Sequence, residues 1–78
     1  MPEITADALR PLLVETFRKS EIPSAIEDMK MGDLEDWDSL GNFNLLLSVE
    51  ETFDVRFSMD DMAALKSVRA IVDAVKAL

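Results

Sequence analysis

A chain of 78 residues has room for one small domain, residues 1–78, with a thin core. Its apolar content of 49% supports a packed interior and argues against disorder, while a net charge of −8 repels nucleic acid and favours partners with basic patches. Without cysteine there is no disulfide framework and no thiolate metal site, and without histidine the commonest general base and nitrogen ligand are gone.

The start, Met1-Pro2-Glu3, has neither the basic region nor the apolar core of a signal peptide. No apolar run approaches the ~20 residues of a membrane span. The expectation is a soluble, cytoplasmic monomer that binds neither nucleic acid nor membrane. From Thr5 to Lys19, Leu9, Leu12, Leu13 and Phe17 recur at i, i+3, i+4 and i+8, the signature of an amphipathic helix. Pro11 falls inside this stretch. Proline is tolerated in a first turn and breaks a helix interior, so either the helix starts near Asp7 or Ala8 or its first turn is irregular. Arg18 and Lys19 stand where cations suit the negative end of the helix dipole.

Residues 20–38 form a long connection containing Pro23, Gly32 and the acids Glu21, Glu27, Asp28, Asp33, Glu35, Asp36 and Asp38. Ile22, Ile26, Met29, Met31 and Leu34 are spread through it, which predicts that it packs on the helices. A short helical turn is expected near Ser24 to Asp28. Connections of this length in small domains are often functional.

A second helix is predicted over Ser39–Phe53. Projected at about 100° per residue, Leu45, Leu46, Val49 and Phe53 share one broad face. Leu40 and Leu47 lie far round the cylinder beside Asn44 and Glu51, with Phe43 between the two groups. A helix on the surface of a bundle normally carries one apolar stripe, so the second needs an account. Either the long connection covers Leu40 and Leu47, or they stay exposed as a docking strip rimmed by charge. Gly41 and Asn42 are poor helix formers and predict a thinly covered backbone beside Ser39.

Asp54 to Phe57 reads as a short extended link. Ser58 can cap a brief helix over Met59 to Leu65, with Asp60 and Asp61 in its favourable first turn. Ser67 can cap a last helix striped by Val68, Ile71, Val72, Val75 and Leu78. The predicted fold is all-α: a small four-helix bundle, three main helices plus one short one, with a long connection between the first and second helices.

Ser39 stands at the mouth of the second helix, and two readings compete for it. A serine there commonly caps the helix by accepting a bond from an orphan backbone N–H. The same position also suits a phosphate ester, because free N–H groups and the positive dipole end favour anions. Other chemistry fails. An EF-hand started at Asp36 puts Leu40 at its fifth position and Leu47 at its twelfth, and one started at Asp33 puts Asp38 where glycine belongs. Glu35, Asp36 and Asp38 have no chain around them long enough to build a substrate cleft of the usual size, and a serine hydrolase needs a base that is absent. Glycine-rich phosphate loops are excluded by having only Gly32 and Gly41. The chain is read as a non-enzyme.

Asp38-Ser39-Leu40, followed by Phe43, Leu45, Leu46, Leu47, Val49, Glu50, Glu51 and Phe53, resembles the attachment helix of the acyl carrier protein family. The likeness continues through Val55, Phe57, Met62, Leu65, Ser67-Val68, Val72 and Val75, about half the chain. It implies that Ser39 receives 4′-phosphopantetheine from coenzyme A through a phosphopantetheinyl transferase that uses magnesium, and that the arm carries an acyl or related group as a thioester. Asp38 would orient the transferase and its metal. Leu40, Leu47, Glu50 and Glu51 would form the face for partner enzymes (acyl ligases or synthases with basic patches), with Phe57 and Met59 at its edge. Val49, Met62, Leu65 and Ile71 would line an acyl cavity.

Between Asp33 and Asp61 nine acids face a single base, Arg56, a field suited to quick contact with basic surfaces. Trp37 stands where small residues are common in the family, which implies a differently shaped approach to Ser39. Gly41, Asn42 and Asn44 replace acids usual in fatty-acid-synthesis carriers, and the double glycine of peptidyl carriers is missing. These departures imply a stand-alone carrier for a specialised pathway. The rival reading is a non-covalent helical adapter that binds a partner through Leu40 and Leu47.

Overall fold

Helix α1 (Ala6–Thr16) buries Leu9 and Leu13 and keeps Leu12 half-buried, as its spacing predicts. The computed structural model describes residues 4–77, so the Met1-Pro2-Glu3 segment and Leu78 of the terminal stripe lie outside it. Pro11 is inside the helix, on its exposed side, where the carbonyl it leaves without a donor can bond water. The first turn is tight: the Ala8 N–H donates to the Thr5 carbonyl at 3.0 Å, an i to i−3 bond. The helix ends earlier than expected. Phe17 closes it by donating to Leu13, so Arg18 and Lys19 stand beyond the last turn, and Arg18 pairs with Glu15 instead of serving the dipole.

The connection packs on the helices. Ile26 and Met29 are buried, and Ile22, Met31 and Leu34 rest half-buried against the core. Residues 26–29 make a single turn, closed by Met29 N–H to the Ile26 carbonyl, and not a helix. Its later part is tied to the start of the last helix by an isolated antiparallel bridge, Lys30 opposite Ser67, with Met31 N–H donating to Lys66 at 2.8 Å and Val68 N–H donating to Met29 at 2.9 Å. Arg10 adds a strap at the other end, donating to the carbonyls of Pro23 and Ser24.

Helix α2 (Ser39–Phe53) buries Leu45, Leu46 and Val49 on its predicted face. It stops at Asp54, which takes the left-handed conformation (φ 54°) common just after a helix. Helix α3 (Met59–Ala64) opens with a capping box: Asp61 N–H donates to Ser58 Oγ at 3.1 Å, and Ser58 N–H donates to the Asp61 carboxylate. Helix α4 (Val68–Ala77) starts from the Ser67 hydroxyl, which accepts from Ala70 N–H at 3.1 Å, and buries Val68, Ile71 and Val72. Both serine caps lie where the sequence puts them. Helix α1 packs against α2 and α4. Among the described residues the fold is all-α, with four helices around one core.

Trp37 is the largest side chain in that core, 1% exposed. Its indole stacks on Phe17 with ring centres 5.2 Å apart and planes 25° from parallel. Such a pair stabilises by about 0.5–1.5 kcal/mol beyond the area it buries. The stack fixes the end of the connection to the end of α1, at the point where α2 begins.

Candidate functional site

The mouth of α2 is built by Asp38. Its backbone is extended, its side chain Oδ1 accepts from Gly41 N–H at 2.8 Å, and its carbonyl accepts from Asn42 N–H at 2.8 Å. Asp38 is therefore the N-cap, and of the two readings of Ser39 the capping one does not hold. Asp lies one residue earlier and accepts as well as serine does, so Ser39 enters the first helical position. Ser39 is exposed, and among the described residues its hydroxyl makes no hydrogen bond.

Gly41 and Asn42 do not leave the backbone bare. A Cβ on Gly41 would collide with the Asp36 carbonyl oxygen and lie 2.9 Å from Phe17 Cε1, so glycine is what lets the connection close over the helix. Ser20 Oγ donates to Asp36 Oδ1 at 2.6 Å and holds that segment down. Asn42 is 2% exposed and works as a relay: Trp37 Nε1–H donates to its Oδ1 at 3.0 Å, and its Nδ2–H donates to the Leu65 carbonyl at 2.9 Å. One amide thus joins the connection, α2 and the α3–α4 junction. The indole is buried in the core and does not line the groove beside Ser39, so it bears on the approach to that serine only through Asn42.

Beside Ser39 lies a surface groove of about 360 Å³, lined by Met31, Ser39, Asn42, Phe43, Met59, Met62, Ala63 and Lys66. A second cleft of about 420 Å³ lies at the far end of α2, between Leu47, Glu50, Glu51, Asp54, Val55 and Arg56. A third, about 340 Å³, is lined on the α1 side of Leu40 by Arg18, Lys19, Asp36 and Asp38 among others.

The predicted site residues separate into groups. Leu40 is 69% exposed and Met59 80%, with Phe43 and Leu47 also exposed, so the connection leaves the second stripe of α2 uncovered. Glu51 is exposed. Glu50 is half-buried and its carboxylate is engaged, accepting Phe57 N–H at 2.7 Å, which binds the link to α2. Phe57 is half-buried against the core. Of the four residues expected around an acyl cavity, Met62 lines the groove beside Ser39, while Val49 and Ile71 are fully buried in the core and Leu65 is half-buried at the α3–α4 junction. Four groove residues escaped the reading of the sequence as parts of a site: Met31, Asn42, Ala63 and Lys66. Asn42 carried one signal, an amide five residues after a tryptophan at a helix start. Met31 and Lys66 carried none, because the chain brings them to Ser39 only through the bridge at Lys30 and Ser67.

Asp33 accepts from the backbone N–H of Lys30 at 3.0 Å and from Lys30 Nζ at 3.2 Å, and these bonds hold it below the usual carboxylate range. Among the described residues, no three acids cluster closely enough to share a metal ion, and no helix is long and apolar enough to cross a membrane.

No family model, curated protein or solved structure matches this chain. Its function is argued from the geometry above.

Proposed function

We propose that this chain is an acyl carrier protein of a specialised lipid or secondary-metabolite pathway, a small four-helix bundle that is modified on Ser39. The observation that carries the reading is the freedom of the Ser39 hydroxyl: Asp38 does the capping, and the serine is left exposed at the first position of α2. The residues fit the 4′-phosphopantetheine group. Ser39 Oγ is the attachment atom, the first-turn N–H groups and dipole favour its phosphodiester, and a groove of suitable polarity adjoins it. When bound, the group supplies a terminal thiol on which an acyl group is carried as a thioester.

In the loading step Ser39 Oγ forms a new P–O bond, the pyrophosphate bond of coenzyme A breaks and the nucleotide leaves. The chain has no histidine, so the base that takes the hydroxyl proton belongs to the transferase. Asp38, spent on Gly41 through one oxygen, keeps the serine presented outward. Acyl ligases or synthases with basic patches would meet Leu40, Leu47 and Glu51, since exposed apolar residues inside a one-sign field support quick, reversible docking. The test is intact mass after incubation with coenzyme A, magnesium and several broad-specificity transferases. A gain of one phosphopantetheinyl group in the wild type and none in Ser39→Ala is expected, and an unmodified wild type sinks the proposal.

The exposed Leu40, Phe43, Leu47 and Met59 strip also favours a second reading, a non-covalent adapter. Under that reading a partner binds Ser39→Ala as well as wild type. Loss of pathway function in folded Ser39→Ala removes it.

A further inference from the structure

The buried face of α2 begins with an amide. It runs Asn42, Leu45, Leu46 and Val49, at i, i+3, i+4 and i+7, so a polar side chain holds the position nearest Ser39. Asn42 is 2% exposed, and among the described residues no other polar side chain is buried. It also lines the groove beside Ser39, so it stands where that groove meets the core. Both ends of its amide are engaged: Oδ1 accepts from Trp37, and Nδ2–H donates to the Leu65 carbonyl at the α3–α4 junction. Among the described residues no buried side-chain nitrogen or oxygen lacks a partner, so this network is complete. Further along α2, Leu46 and Val49 are wholly buried, as is Ile71 on α4.

An alkyl chain that passes from the Ser39 groove into the core has to part Asn42 from Leu65. The Leu65 carbonyl and the Trp37 indole N–H then lose their partner, and an alkyl chain offers neither a donor nor an acceptor in return. We propose that Asn42 is a specificity-determining latch that keeps the core closed to cargo, so that the chain carries short or polar acyl groups outside it. This inference rests on modification of Ser39. It departs from the acyl cavity that the family resemblance implies around Val49, Met62, Leu65 and Ile71. Cargo held outside the core reaches a partner enzyme without first being drawn out of the carrier.

The test loads the full chain from acetyl-, butyryl- and octanoyl-coenzyme A with a broad-specificity transferase, and mass confirms each product. Two quantities are then read: the melting temperature, and NMR contacts from acyl protons to the Val49 and Ile71 methyl groups. A chain that enters the core stabilises the fold with each methylene it buries. Wild type is expected to melt at one temperature whatever the acyl length, with no contact from octanoyl to either residue. In Asn42→Ser, which removes the amide, the octanoyl form should melt above the acetyl form and the contacts should appear. Trp37→Phe loosens the same region but leaves the Asn42 bond to Leu65, so it should stay insensitive to acyl length. Octanoyl contacts in wild type overturn the inference. So does a folded Asn42→Ser that stays insensitive, or a Trp37→Phe that admits the chain. If a variant does not fold, wild type decides alone by the same two readings. A chain that never loads overturns the carrier reading itself, which mass alone reveals, so the two failures are distinguishable.

Discussion

Two neighbouring residues at the mouth of α2 divide the labour, and substitution separates them. Asp38→Ala removes the acceptor for Gly41 N–H and should cost about 1 kcal/mol in urea unfolding. Ser39→Ala touches an exposed side chain outside the cap and should stay within about 0.5 kcal/mol of wild type. The serine is spare as structure. Asn42→Leu should be far more damaging, because it orphans both Trp37 Nε1–H and the Leu65 carbonyl, at about 1–3 kcal/mol for each buried group left unpaired. Asp33 ties stability to acidity. Its acidity is raised by the bonds from Lys30, so its contribution is complete above the ordinary carboxylate range and is lost as pH falls through its lowered value. Urea midpoints measured from neutral to acid pH should fall less steeply for Asp33→Asn, which should also be the less stable of the two at neutral pH.

At the scale of the elements, α2 depends on what lies over its first turn. Gly41→Ala gains helix propensity of about 1 kcal/mol, yet it drives a methyl group into the Asp36 carbonyl and the Phe17 ring. The expected outcome is a net loss of about 1–3 kcal/mol, read from thermal or urea unfolding, because the close contact is with backbone that cannot step aside. This first turn also marks how far the fold was legible. The apolar spacing of Leu9 and Leu13, of Leu45, Leu46 and Val49, and of Val68, Ile71 and Val72 located three helices, and Ser58 and Ser67 located two caps, because each signal is local. Trp37 and Asn42 read as surface features in one dimension. Their burial follows from partners brought in over distance, Phe17 from α1 and Leu65 from beyond α3, which periodicity does not encode. The capping reading of Ser39 stayed open for a simpler reason: Asp38 and Ser39 are both good acceptors, and only backbone angles choose between them.

At the scale of the whole molecule, charge and apolar surface are sorted around Ser39. The groove side offers methionines and Lys66 without an acid, and the opposite side offers Leu40, with Leu47 and Glu51 further along α2. That sorting gives a clean expectation for the carrier reading. Leu40→Asp should leave unfolding midpoints almost unchanged, since the side chain is largely in solvent, and should slow acyl transfer by partner enzymes without preventing phosphopantetheinylation as read by mass. The second apolar stripe of α2 was visible in the residue spacing, which left its exposure open, and Ser39 was singled out by the family resemblance, since local chemistry left two readings for it. The groove was not legible, because its floor is assembled from the connection, α2 and the α3–α4 junction only once the bridge at Lys30 and Ser67 has formed.

The protein has one tryptophan, and it is sealed against Phe17 and bonded to the amide that also reaches Leu65. Its emission is therefore an unlabelled optical gauge of the root of α2. Fluorescence should be blue-shifted and sheltered from dissolved quenchers in the folded chain. Any event that loosens the first turn, whether a partner prising at Leu40 or a swap at Asn42, should register as a red shift before the helices themselves melt.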